Sequence, residues 1–141
     1  MAARSKARKR ALQILFEADQ RGAKPTEVLA DWARLATTDE RQPPVSEFTR
    51  RLVEGYVERA ERIDELLAQY TVGWPLDRMP VVDRNILRLC AFELIWEDET
   101  PDAVVLDEAV QLAREFSTEE SPTFVNGLLG RLKDLKPTLR R

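Results

Sequence analysis

Apolar residues recur at steps of three and four along nearly the whole chain, and no stretch alternates apolar and polar residues over strand length. The pattern predicts an all-α fold. A first helix is expected over residues 4–21, with Ala7, Ala11, Ile14, Leu15 and Ala18 facing a core and Leu12 and Phe16 widening one flank. Gly22 and Pro25 interrupt it, and a short helix follows over 26–36 with Val28, Leu29, Trp32 and Leu35 inward. The polar run 37–44 is a loop, closed to helix by Pro43 and Pro44. Ser46 then caps a long helix whose stripe is Phe48, Leu52, Tyr56, Ala60, Ile63, Leu67 and Tyr70. Gly55 within it marks close packing or a bend, since a helical glycine costs about 1 kcal/mol against alanine.

Gly73, Pro75 and Pro80 make 71–80 a turn, the expected boundary between two helical sub-bundles of a single domain spanning 1–141. Over 81–96 the apolar residues Val82, Ile86, Leu87, Leu89, Cys90, Ala91, Phe92, Leu94 and Ile95 cover almost every direction of a helical wheel. Such a helix is central and buried, so Asp83, Arg84, Arg88 and Glu93 must reach its ends, the surface or partners. Thr100-Pro101 places a capping residue before a proline at the first helical position, opening a helix with Val105, Leu106, Ala109, Leu112, Ala113 and Phe116 inward. Ser121-Pro122 repeats the device for a last helix, apolar along Phe124, Val125, Leu128, Leu129, Leu132 and Leu135 and ended by Pro137.

A length of 141 residues suits one domain that needs no metal or disulfide staple. Cys90 is the only cysteine and histidine is absent, which removes a disulfide, a thiolate metal cluster, the commonest general base and the commonest zinc ligand together. No apolar run is long enough for a signal sequence or a membrane span, and a cytoplasmic location is expected. The net charge of −3 conceals a division. Arg4, Lys6, Arg8, Lys9 and Arg10 stand without an acid in the first ten residues, while 131–141 holds five basic residues, Arg140 and Arg141 included, against Asp134 alone. The stretch between is strongly acidic. Basic ends on an acidic body can hold an anionic polymer at a localised contact; the plainer reading is that they serve solubility.

No phosphate-binding loop or nucleophile–base constellation is present, and no metal or cofactor is implied. Glu119 and Glu120 suit a helix N-terminus, and the adjacent Asp107 and Glu108 diverge on a helix and form no dyad. Cys90, on the apolar helix, reads as a small core residue. The chain is not expected to be an enzyme.

Several segments together resemble the NusB family. They are the basic start followed by Ala11-Leu12-Gln13-Ile14-Leu15-Phe16, then Trp74 with Leu76-Asp77-Arg78, and the run from Val82 to Leu89. Phe92-Glu93-Leu94, the run from Asp107 to Ala113, and Phe124-Val125-Asn126-Gly127-Leu128-Leu129 complete the set. Where the family often has Asn-Glu-Ala, this chain has Asp107-Glu108-Ala109. The resemblance implies about seven helices in two packed sub-bundles, and a role in transcription antitermination on ribosomal RNA genes. Its implied partners are single-stranded boxA RNA, the ribosomal protein NusE, and the antitermination complex on RNA polymerase.

By the same resemblance Arg4, Lys6 and Arg8 belong to an arginine-rich RNA-binding terminus, Phe124 lies near the RNA, and Phe16 and Asp83 lie near NusE; Lys9 and Asn126 are further candidate RNA contacts, and Arg84 a further candidate partner contact. Phosphate contacts from such a terminus give affinity without reading sequence, and an aromatic side chain can stack on an unpaired base. Each residue also has a plain structural reading. Phe124 fits a core position, Asn126-Gly127 fits a packing point with the amide on backbone, and Asp83 fits a cap on the central helix. Two other functions stay open: a protein-binding scaffold or dimeric regulator, and a stand-alone relative of the NusB-like domain of ribosomal RNA methyltransferases. The stripes would look the same against a second subunit, so a homodimer stays open as well.

Overall fold

A computed structural model describes residues 2–71 and 74–139. Gly73, Arg140 and Arg141 lie outside the described residues. Seven helices form there and no strand: α1 (Ala2–Arg21), α2 (Pro25–Thr38), α3 (Glu47–Glu58), α4 (Ala60–Tyr70), α5 (Val81–Trp96), α6 (Asp102–Phe116) and α7 (Ser121–Leu139). Among the described residues no helix is long and apolar enough to cross a membrane.

The chain divides into two units between Glu58 and Arg59. This is ahead of the 71–80 segment expected as the boundary, and the expected long helix is two helices. Arg59 leaves helical geometry (φ −116°, ψ 20°), and its carbonyl accepts from Ile63 N at 2.9 Å as α4 begins. Its guanidinium lies 5.2 Å from the Trp96 ring centroid and 5.9 Å from that of Phe92, two rings that stack on each other. The apolar stripe runs on across this single non-helical residue, which hides the break from periodicity.

In the first unit α1 packs on α2 and α3, and α2 packs on α3. Ala7, Ala11, Leu12, Ile14, Leu15 and Ala18 are buried as the periodicity requires. Ser46 caps α3: its Oγ accepts from Thr49 N at 3.1 Å, a bond that stabilises a helix start by about 1 kcal/mol. The same hydroxyl donates to Thr49 Oγ1, which donates to the Ala7 carbonyl at 2.9 Å and so fixes the first turn of α3 to α1. Leu35, expected inward, is exposed. It sits in the last turn of α2, where periodicity continues after packing has stopped.

In the second unit α5 packs on α4, α6 and α7, as a helix apolar all round must. Arg88 reaches out to Asp64 on α4 through paired Nε–Oδ1 and Nη2–Oδ2 bonds of 3.0 Å each. Cys90 is buried and reduced. Three local expectations change. Pro101, not Thr100, holds the N-cap of α6, where its carbonyl accepts from Val104 and Val105. Phe116, at the end of α6, is exposed. Pro137 lies inside α7 and does not end it, so the helix runs on to Leu139 without the bond that an N–H at 137 would have made.

Candidate nucleic-acid interface

The basic start is one continuous helix, and spacing of four brings Arg4 and Arg8 to the same side of α1. Both guanidinium groups meet the ring of Phe48, Arg4 at 4.4 Å and Arg8 at 5.2 Å from its centroid, with Arg51 on the same ring at 5.5 Å. Arg8 is buried at 3% exposure. That corrects the expectation of an open phosphate contact, because the side chain is spent on the core edge of its own unit. A desolvated cation on an aromatic face contributes about 2 kcal/mol. Lys6 is exposed, and Arg4 and Lys9 are half-buried.

Arg10 has a structural task that its place in a charge run does not reveal. Its guanidinium donates to the carbonyls of Pro44 at 2.7 Å and Pro43 at 3.1 Å, and it lies 5.1 Å from the Trp32 centroid. Burial lowers its pKa from the ordinary arginine value. The loop between α2 and α3 is thereby tied to α1. Phe16, on α1, is exposed at 40% and so does not widen the buried flank of a core.

In the second unit a groove of about 780 Å³ runs along α7. Phe124, Asn126, Arg131 and Lys133 line it from α7, and Tyr70 from the end of α4. Phe124 is half-buried and sets its ring edge-on against Trp74, with centroids 4.9 Å apart at 67°. It is neither sunk in the core nor fully free. Asn126 is exposed, so its amide is open to a ligand. Arg131 holds its guanidinium 5.3 Å from the Tyr70 centroid.

Gly127 and Gly130 also line the groove, and an added Cβ at either would meet nothing within 4 Å. The packing-point reading of Gly127 is therefore not met within the described residues. A helical glycine costs about 1 kcal/mol against alanine, and at neither position does a neighbour among the described residues fill the place of a side chain. Tyr70 and Arg131 were not among the expected site residues. Tyr70 was hidden as one position in an apolar stripe, and Arg131 as one charge in a basic tail.

Asp83 is fully buried in the first turn of α5, and Pro80, without a side-chain bond, is the N-cap. The carboxylate accepts instead from the hydroxyl of Ser117, at the end of α6. Both earlier readings of Asp83 change with this: it is no cap, and it presents no surface to a partner. Arg84 lines a shallow pocket of about 420 Å³ with Leu76, Asp77 and Arg88. Among the described residues no three His, Cys, Asp or Glu side chains gather as a metal site would need.

Aromatic rings, an exposed amide and two cations, with Asp134 among them, line the groove, an arrangement that can stack a base and meet a phosphate. The description of the NusB family matches residues 5–134 of this chain. The chain belongs to the NusB family. It is 75% identical over 141 residues to the transcription antitermination protein NusB of Streptomyces coelicolor, covering all of this chain and 99% of that relative. Among solved structures it is similar to NusB of T. maritima, with a TM-score of 0.80 and 34% identity over 93% of this chain and 90% of that one. A second similar structure is that of the antitermination factors NusB and NusE in complex with double-stranded RNA. There the TM-score is 0.79 and the identity 28%, over 95% of this chain and 98% of that one. The function is transcription antitermination, performed by an adaptor and not by an enzyme.

Proposed function

We propose that this chain serves antitermination in the cytoplasm by holding single-stranded boxA RNA together with ribosomal protein NusE, within the antitermination complex on RNA polymerase. The observation that carries the reading is the α7 groove, where Phe124 and Asn126 stand beside two glycines that leave room for a strand to approach the helix backbone. Arg131 and Lys133 supply the charge that phosphates need. Separately, α1 carries the proposed phosphate contacts of the first unit, with Lys6 exposed, Lys9 half-buried and Arg4 resting also on the Phe48 ring. Exposed Phe16 and the pocket at Arg84 are the surfaces proposed for NusE.

The similar NusB–NusE structure contains double-stranded RNA, which favours a duplex as the second reading. A fluorescence titration separates the two. BoxA RNA as a single strand is expected to bind more tightly than the same sequence annealed to its complement, and more tightly still with NusE added. For about four phosphate contacts log K should fall against log salt with a slope near −3. Equal affinity for the duplex, or no gain from NusE, overturns the reading.

A further inference from the structure

We propose that Asp83 is a positioning residue for the RNA-facing turn of α7, acting through a string of hydroxyls at the α6–α7 junction. The proposal rests on the reading that Phe124 and Asn126 meet RNA. Asp83 has no exposed surface, and among the described residues only Oδ1 of its two carboxylate oxygens has a hydrogen-bond partner, the Ser117 hydroxyl. Ser121 in turn donates to Ser117 Oγ at 3.0 Å. The Ser121 and Thr118 hydroxyls are 2.7 Å apart, and the Thr118 backbone N–H donates to Ser121 Oγ at 3.2 Å.

A carboxylate only accepts, so it orients the whole string: Ser117 points its proton at Asp83, Ser121 at Ser117, and Thr118 at Ser121. Every hydroxyl proton is committed in one direction. Ser121, itself fully buried, is the first residue of α7. Phe124 follows three residues later and donates its N–H to the Glu120 carbonyl, within the turn that this string anchors. The angle at which the Phe124 ring meets Trp74, and the direction of the Asn126 amide, therefore depend on a carboxylate on α5. A residue that touches neither RNA nor a partner thus governs the aromatic face offered to a base.

The experiment uses the full chain with Trp32→Phe and Trp96→Phe, so that Trp74 is the only tryptophan and reports on Phe124 beside it. Near-UV circular dichroism of Trp74 and boxA RNA affinity are measured for Ser117→Ala, Ser117→Thr and Asp83→Asn. Lys136→Met is the control, because it breaks a 2.9 Å bond from α7 to Asp102 on α6 far from Phe124. Ser117→Ala is expected to change the Trp74 signal and to weaken RNA about tenfold, a loss on the scale of a disturbed stacked base. Ser117→Thr, which keeps the hydroxyl, and Asp83→Asn, which keeps the accepting oxygen, should restore both readouts. Lys136→Met should lower the melting temperature and leave both unchanged. A Ser117→Ala protein that only melts earlier, with the parent's Trp74 signal and affinity, overturns the proposal. If the Trp74 signal moves while affinity holds, Phe124→Ala decides. Binding as tight as the parent's then overturns the RNA reading of Phe124, and weak binding overturns the positioning role.

Discussion

The two units handle positive charge in opposite ways. In the first, the cations that look most available in sequence are largely occupied: Arg8 is buried against Phe48, and Arg10 is bound to two proline carbonyls and faces Trp32. In the second, Arg131 rests on the Tyr70 ring yet still lines, with Lys133, a groove that is open at Gly127 and Gly130. A dense run of arginines is therefore a poor measure of charge free to meet phosphate. The more informative sign of a ligand is a helix that accepts an intrinsic cost with nothing inside the protein to offset it.

The contrast can be broken most directly at Phe124. Replacing it with alanine should cost about 1–3 kcal/mol of RNA binding, the range for one stacked base, while the salt slope stays as in the parent. An unchanged affinity would move recognition away from α7. Arg8→Ala tests the opposite claim about the first unit. It should destabilise the fold by about 2 kcal/mol in chemical denaturation, through a lost desolvated cation–π contact. Lys6→Ala, at an exposed neighbour, should leave stability alone and reduce the RNA salt slope by about 0.7. Were Arg8 and Lys6 to behave alike, the division between occupied and open cations would fail.

Gly130→Ala sharpens the comparison because its two effects have opposite signs. The protein should gain up to about 1 kcal/mol of stability from helix propensity and lose RNA affinity through the new methyl in the groove. A gain in both would show that no strand passes there. The smallest effect is at the α1–α2 edge, where hydrogen bonds from Arg34 and Arg21 hold the Asp31 carboxyl below its usual value. That contribution is fully present above the unfolded carboxylate's pKa and disappears as pH falls through the lowered folded value. Melting curves of Asp31→Asn and its parent should therefore converge in acid, in contrast to a separation near neutrality.

Much of this architecture was legible in the chain itself. The all-round apolar surface of 81–96 could only belong to a central helix, and Ser46 announced the start of α3. The break at Arg59 was not, because no glycine, proline or capping residue marks it and the stripe passes through unbroken. Pro101 and Pro137 misled by one rule applied too locally: proline favours a helix start and disfavours an interior, yet packing settled both positions otherwise. Phe124 was named as a candidate through family likeness and Asn126 through its amide chemistry, and both line the groove on α7. The groove between them and Tyr70 was not legible, since periodicity cannot tell a glycine that admits a neighbouring helix from one that leaves a space. Asp83 was expected near NusE through family likeness or as a cap on α5; three hydroxyls scattered over 117–121 become its support only after α6 and α7 are folded together.

The tie from Arg10 to the carbonyls of Pro43 and Pro44 also bears on how the chain withstands proteases. Arg41 is the sole basic residue between α2 and α3, and its side chain is 89% exposed, so trypsin has one site in that connection. A cut there would leave the Pro43–Pro44 end clasped by α1, and the nicked pieces would migrate together until a denaturant parted them.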